Sequence, residues 1–224
     1  MSKFNDVIYY IEESDMWWTK EDPNAYEYLK HTNADMMAHI IPYLRDNKVA
    51  VQAGAHCGFV IRELKKHFET IYTFEPNSSM FLCSCMNNPE NNIYKIQACL
   101  GNEHKLVNMI NFAGLGVGAD YVEQNVVDGT NDLILAKGKI PMLMIDDLSL
   151  NQCDLIELDV EGFEYKAMLG ARQTVEKFKP LLCLEKYWGF RAGTKDGDME
   201  KLLNDWGYKE VDKMLPDYIY KFIG

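Results

Sequence analysis

The 224-residue chain contains no apolar run near the roughly 20 residues that a membrane-spanning helix needs, so no span is expected. Its opening, MSKFNDVIYYIEESDMWW, is acidic and aromatic. It lacks the basic start and apolar core of a secretory signal, which predicts a cytoplasmic location. Basic charge is scarce, with 23 Lys and Arg against 34 Asp and Glu and a net charge of −11. Nucleic-acid binding rests on a basic footprint for phosphates, so neither DNA nor RNA is expected as a partner. A small ligand feels only its pocket and stays open. The 6 cysteines include no C-x-x-C and no pair at zinc spacing, which predicts reduced, buried thiols and no metal. Internal repeats and low-complexity segments are absent.

What is present is a hydrophobic content of 47%, enough for one sizeable core. Residues 1–23 read poorly as regular structure. NADMMAHIIPYLRD has helical spacing, with Thr32 or Asn33 as N-cap and Pro42 disturbing its last turns. We therefore expect an N-terminal helical and aromatic cap over 1–47. From Lys48 the pattern alternates: VAVQA, TIYTFEP, NIYKIQACL, IPMLMID, DLIELDV and PLLCLE read as strands. FVIRELKKHF, SSMFLCSCMNN, EYKAMLGARQTVEKF and DMEKLLNDWG read as helices. KLVNMINFA is expected to pair antiparallel with NIYKIQACL, and YKEV with DYIYKFI as a closing antiparallel pair. GLGVG reads as a glycine-rich loop. This alternation predicts an α/β fold over 48–224, a mostly parallel sheet with helices on both faces and an antiparallel C-terminal strand pair.

The stretch VQAGAHCGFV carries the first functional signal. A strand that turns through glycine into a helix builds a ligand site at the strand's carboxyl end. The dinucleotide fingerprint G-x-G-x-x-G fails, because Ala53 and Ala55 stand where glycines should. The looser acid-x-G-x-G-x-G fits in part, with Gln52, Gly54, His56 and Gly58 in its four places. Glu75 ends the second strand about 20 residues further on, where a nucleoside-binding fold places an acid on the ribose hydroxyls.

VQAGAHCGFVIRELKK, YTFEPNSSMF, IPMLMIDDL and CDLIELDVEGFEYKAMLGA…KPLLCLE together resemble the FkbM family of S-adenosylmethionine-dependent methyltransferases. The resemblance runs from about Lys48 to Glu185, and DVEGFE is its most specific block. It implies a Rossmann-like seven-stranded methyltransferase fold, S-adenosylmethionine as cofactor, and methylation of a hydroxyl on a sugar or other small molecule. It further implies that Gly54 and Gly58 line the methionine part of the cofactor and that Glu75 meets the ribose. Gln97 and Ala98, in QACL, match the adenine-contact position. Asp159 and Glu161 match the family's D-x-E-G acids. Three departures stand out: Gln52 replaces the usual Asp, His56 the usual Asn, and Glu157 a common Lys.

Asp159 and Glu161 lie two apart after a strand and would point the same way if extended geometry persists. Asp159 is the candidate proton acceptor and cofactor neighbour, with Glu161 and Glu185 as acceptor contacts. The competing roles are a helix cap for Asp159, a turn for Glu161 and an ion pair for Glu185. His56 could shape the turn or act as a base. His104 reads as a hairpin residue, and Asp146 and Asp147 as cap and turn residues. The expected acceptor is a small molecule or glycan. Two other functions compete: a non-catalytic binding protein on the same fold, motivated by Gln52, and a NAD-dependent enzyme, which the failed fingerprint opposes.

Overall fold

The computed structural model describes residues 6–32, 35–112, 120–122, 133–186 and 197–224. A seven-stranded sheet forms its centre. The strands are β3 (Val49–Ala53), β4 (Thr70–Phe74), β5 (Ile93–Ile96), β10 (Leu155–Leu158), β11 (Leu181–Glu185), β12 (Tyr208–Met214) and β13 (Asp217–Phe222). Their order is β12-β13-β11-β10-β3-β4-β5. The five strands from β11 to β5 are mutually parallel, while β13 runs antiparallel to β11 and to β12. The chain starts at β3, steps outward to β5, and later returns to β10 on β3's other side. The carboxyl ends of β3 and β10 therefore flank the point where strand order reverses.

Continuous apolar runs explain why these strands are central. Every residue of β10 and β11 is buried. One sheet face, with Val51, Ile156, Leu158 and Leu182, packs on α5 (Glu164–Leu169), α6 (Arg172–Phe178) and α7 (Asp198–Asp205). The other, with Ala50, Leu155, Leu181 and Cys183, packs on α2 (Met36–Ile40) and α3 (Phe59–Leu64). All six cysteines are free thiols, five of them buried.

Several sequence expectations need correction. Residues 8–19 form a hairpin, β1 (Ile8–Ile11) against β2 (Met16–Thr19), rather than irregular chain. Its Trp18 is fully buried with Tyr26, Cys57, Met80 and Cys83, so tertiary packing supplies the order that the local pattern does not. A helix that the sequence did not suggest, α1 (Ala25–Thr32), follows the hairpin and includes Thr32. The next helix, α2, starts after Asp35, and its continuation tightens to a 3-10 turn at Ile41–Tyr43, around Pro42. KLVNMINF, as β7 (Lys105–Phe112), does not pair with β5. It joins β6 (Cys99–Leu100), β8 (Asp120–Val122) and β9 (Leu133–Leu143) in a second sheet ordered β6-β9-β7-β8. NIYKIQACL thus divides between two sheets, and IPMLMID supplies the end of β9. His104 lies before β7 but in no hairpin, because β9 separates β6 from β7. It sits 3.3 Å from the Asp147 carboxylate.

The expected long helix breaks into α5 and α6 at Gly170. A Cβ at Gly170 would lie 2.0 Å from the Gly101 carbonyl oxygen, so close backbone contact sets the break. Asp146 caps α6 by accepting from the Gln173 and Thr174 N–H groups, and Asp147 accepts from Met144 N–H. GLGVG falls outside the described residues. Among those described, no helix is long and apolar enough to cross a membrane.

Candidate functional site

A cavity of about 510 Å³ opens over the carboxyl ends of the central strands. Gly54, Ala55 and His56 reach it from the turn after β3, Glu75 from β4, and Ala98 from the segment after β5. Asp159 and Glu161 reach it after β10, Glu185 at the end of β11, and Asp217 at the start of β13. Its other walls include Tyr28 and Leu29 of α1, His39 of α2, and Met214 and Leu215.

The bare turn after β3 has a packing reason. Gly54 has φ +86°, and a Cβ there would meet the Asp159 carbonyl oxygen at 1.7 Å. Gly58, at φ +93°, would clash with Asn88 and Ser84 of the α4 segment (Ser78–Asn87 and its cap). The glycines let strand ends and helices touch through backbone. Glu75 then fixes the loop: its carboxylate accepts the His56 N–H at 2.7 Å and the Asn77 N–H at 2.8 Å. The His56 ring lies 4.8 Å from the Trp18 ring, with Nε2 3.5 Å from the Asp22 carboxylate. The N-terminal hairpin thus packs directly on the turn.

The acids after β10 converge for a different reason than simple extension. Glu161 has a left-handed backbone, φ +55°, because the chain is already turning through Gly162 toward α5. Carboxylate oxygens of Asp159, Glu161 and Glu185 nevertheless lie within 4.8 Å of one another. Acidic groupings of this size occur widely without an ion, and we assign none to it. Asp159 caps no helix, since α5 has Phe163 at its N-cap and no side-chain cap bond. The turn before α5 is instead tied down by Glu164, whose carboxylate accepts the Val160 and Gly162 N–H groups at 3.0 and 3.2 Å.

Burial pushes four acids of this region up: Asp159, Glu164, Glu185 and Asp217. Desolvation raises Asp159, opposed by a hydrogen bond from Glu185. Desolvation and then the Asp159 charge push Glu185 up to about 11. The same two causes raise Asp217 to about 7. Burial alone outweighs the backbone hydrogen bonds at Glu164 and raises it to about 8.

Of the residues singled out from the sequence, Gly54, His56, Glu75, Ala98, Asp159, Glu161 and Glu185 line the cavity. Gln52, Gly58 and Gln97 do not. Gln52 is fully buried inside β3, where it accepts a hydrogen bond from Thr73. Gly58 is turned against Asn88, and Gln97 donates to Ser78 Oγ at 2.7 Å. The cavity residue missed from the sequence is Asp217. Its only local signal is an acid after Pro216, and the β13–β11 pairing that brings it in is non-local.

A reversal of strand order, a glycine turn and an acid on the adjacent strand end define a Rossmann-like α/β fold. Residues 35–210 match the Methyltransferase FkbM domain, and the chain belongs to that methyltransferase family. No curated protein matches the chain. Among solved structures it is similar to the methyltransferase FkbM from Methylobacillus flagellatus KT, at 21% identity and a TM-score of 0.50. That match covers 79% of this chain but 44% of the other, so this chain spans less than half of that relative's length. A precorrin-6y C5,15-methyltransferase from Geobacter metallireducens GS-15 is similar at 14% identity and a TM-score of 0.44, over 94% of this chain and 95% of that one. Magnesium protoporphyrin IX methyltransferase from Synechocystis PCC 6803, with bound SAM, is similar at 11% identity and a TM-score of 0.45, over 87% and 78%.

Proposed function

We propose that this protein transfers the methyl group of S-adenosylmethionine to a hydroxyl of a small molecule or sugar. The observation that carries the reading is one continuous cavity, with Glu75 toward β4 and the Asp159–Glu185 pair toward β11. The lining fits the cofactor chemically. Glu75 lines the cavity at the end of β4, where a carboxylate suits the hydroxyls of a ribose diol. Phe74, Pro76, Ala98 and Leu100 give apolar surface for a purine. The acids beyond Gly54 suit a cationic centre.

S-adenosylmethionine, when bound, supplies an electrophilic methyl group on a sulfonium. The protein's share is placement and charge. Asp159 takes or orients the proton of the acceptor hydroxyl, and Glu185, hydrogen-bonded to it, fixes the carboxylate's position. Glu161 holds further polar groups of the acceptor. The walls from α1, α2 and Met214–Leu215 surround the acceptor's remaining surface.

The reading of a non-catalytic binding protein drew its motive from Gln52. That residue lies in the strand interior rather than at the cavity, which removes the reason for it. Calorimetry with S-adenosylmethionine, S-adenosylhomocysteine and NAD tests the cofactor, with binding of the first two and not of NAD expected. An acceptor screen following S-adenosylhomocysteine release then tests the hydroxyl. Methylated nitrogen or carbon in the product would overturn that part.

A further inference from the structure

Asp217 lies directly opposite Glu185 in the antiparallel β11–β13 pair. Both line the cavity. Directly opposed residues on one sheet face hold their side chains within about 5 Å, and like charges there repel. Glu185 in turn hydrogen-bonds Asp159 at the end of the neighbouring strand. Three carboxyl groups therefore run in a row across three strand ends, β13, β11 and β10. With Glu185 buried at its centre and Asp159 and Asp217 half-buried on either side, the row disfavours three full charges.

The surroundings sharpen the point. From β10 and the turn after it, Glu157, Glu161 and Glu164 add acids to the same region. From β11, Cys183 lies within reach of Asp217, and Lys186 is turned away over the Tyr218 ring with its ammonium near Glu200. Asp35 and His39 border the cavity from the α2 side, and His39 is paired with Asp212 at 3.0 Å. His56 faces Asp159 from the glycine turn.

We propose that Asp217 is a positioning residue for proton removal: Asp217, Glu185 and Asp159 share a resident proton, and Asp217 is the member that exchanges it with solvent. The inference rests on the methyltransferase reading. There, the acceptor oxygen loses its proton as it gains the methyl group and the sulfur loses its positive charge. Asp159 receives that proton. Glu185 remains protonated and bridges Asp159 to Asp217, which returns the proton to water. One positive charge enters with the cofactor and one leaves as a proton. The burial that raises Asp217 to about 7 lets it alternate between forms near neutral pH.

The test needs no acceptor. S-adenosylmethionine and S-adenosylhomocysteine share every titratable group but differ in the sulfonium charge. Their affinities for the full chain are measured by calorimetry between about pH 6 and about pH 8. As Asp217 ionises, the preference for S-adenosylmethionine should grow by roughly three- to tenfold. In Asp217→Asn the preference should stay level across that range, with S-adenosylhomocysteine affinity preserved. Asp217→Ser serves the same purpose if the amide variant does not fold. A level preference in the wild-type protein, or a pH dependence that survives in the variant, would overturn the role of Asp217. If the wild-type chain binds neither ligand at any pH, the methyltransferase reading itself falls, and this inference falls with it.

Discussion

Gln52 and Glu157 are cross-strand partners, opposite one another in the parallel β3–β10 pair. Both are buried, and the Gln52 amide lies beside the Glu157 carboxyl. These are two of the three positions where the chain departs from the family pattern, Asp to Gln and Lys to Glu. In this chain the two positions face each other across the sheet. Burial, together with the nearby Asp159 and Asp217 charges, pushes the Glu157 carboxyl well above the ordinary carboxylate range.

Gln52→Asp alone should accordingly harm the protein rather than restore the site. It removes the amide and sets a second acid against Glu157, at a cost of about 2–3 kcal/mol. The double change Gln52→Asp with Glu157→Lys should recover at least half of that loss. Urea unfolding of the two single variants and the double variant measures the coupling. Additive single effects would mean that the pair does not act as a unit.

Under the proposed function Glu75 would meet the cofactor as well as hold the loop, so its variants should separate. Glu75→Ala is expected to weaken S-adenosylhomocysteine binding by about 1.5–3 kcal/mol and also to lower stability, since it frees two loop N–H groups. Glu75→Gln keeps an oxygen for one of those groups, so it should retain more stability than binding. Calorimetry alongside thermal unfolding reads both. Intact binding in Glu75→Ala would remove Glu75 from the cofactor site.

Trp18→Ala should cost about 3–5 kcal/mol, the range for a fully buried large aromatic. Because Trp18 supports the His56 ring, S-adenosylhomocysteine affinity should fall as well. A hairpin that only covered the outside of the fold would leave that affinity unchanged, whereas the contact with His56 argues for the loss. Unfolding curves and calorimetry on the one variant decide between them.

The strands that hold the site were legible because β3, β4, β10 and β11 are short apolar runs ending in small or acidic residues. Asp159, Glu185 and Glu75 could be placed at strand ends on that basis alone. What escaped was fixed by distant contacts. β6 is two residues long and exists only through its pairing with Met142 and Leu143 of β9. The aromatic hairpin has no amphipathic pattern of its own and is ordered by α3, α4 and the glycine turn. Gln52 could be aligned to a motif, but its direction depended on which neighbour lay across the sheet. Asp217 joined the site only once β13 was known to lie beside β11.

Raised acids predict a pH dependence of stability. Glu164 is fully buried and binds its proton more tightly in the folded state, with its value raised to about 8. The folded state then holds more protons than the unfolded one, so stability falls as pH rises from the ordinary carboxylate range toward about 8 and is level beyond. The slope is at most about 1.4 kcal/mol per pH unit for this one group. Glu164→Gln keeps an oxygen for the Val160 and Gly162 N–H groups and should flatten that slope. Chemical denaturation across the range measures it, and a wild-type stability that rises toward pH 8 would contradict the assignment.

Asp159→Asn addresses the reaction. The substitution keeps size and a hydrogen-bonding oxygen but abolishes the carboxylate that would receive the acceptor's proton. A positioned base contributes about 10²–10⁴-fold in rate, so turnover should fall within that range. S-adenosylhomocysteine affinity, which involves no sulfonium charge, should stay within a few-fold, because Glu75 and the apolar walls proposed to hold the nucleoside are untouched. Single-turnover methyl transfer, measured once an acceptor is known, separates this chemical step from binding. The loss should be largest at low pH-independent acceptor acidity, that is, for aliphatic hydroxyls. A phenolic hydroxyl of lower pKa gives up its proton more readily and should suffer less. Equal losses for both acceptor types would point to Asp159 orienting the acceptor rather than receiving its proton, and unchanged transfer would remove it from the mechanism.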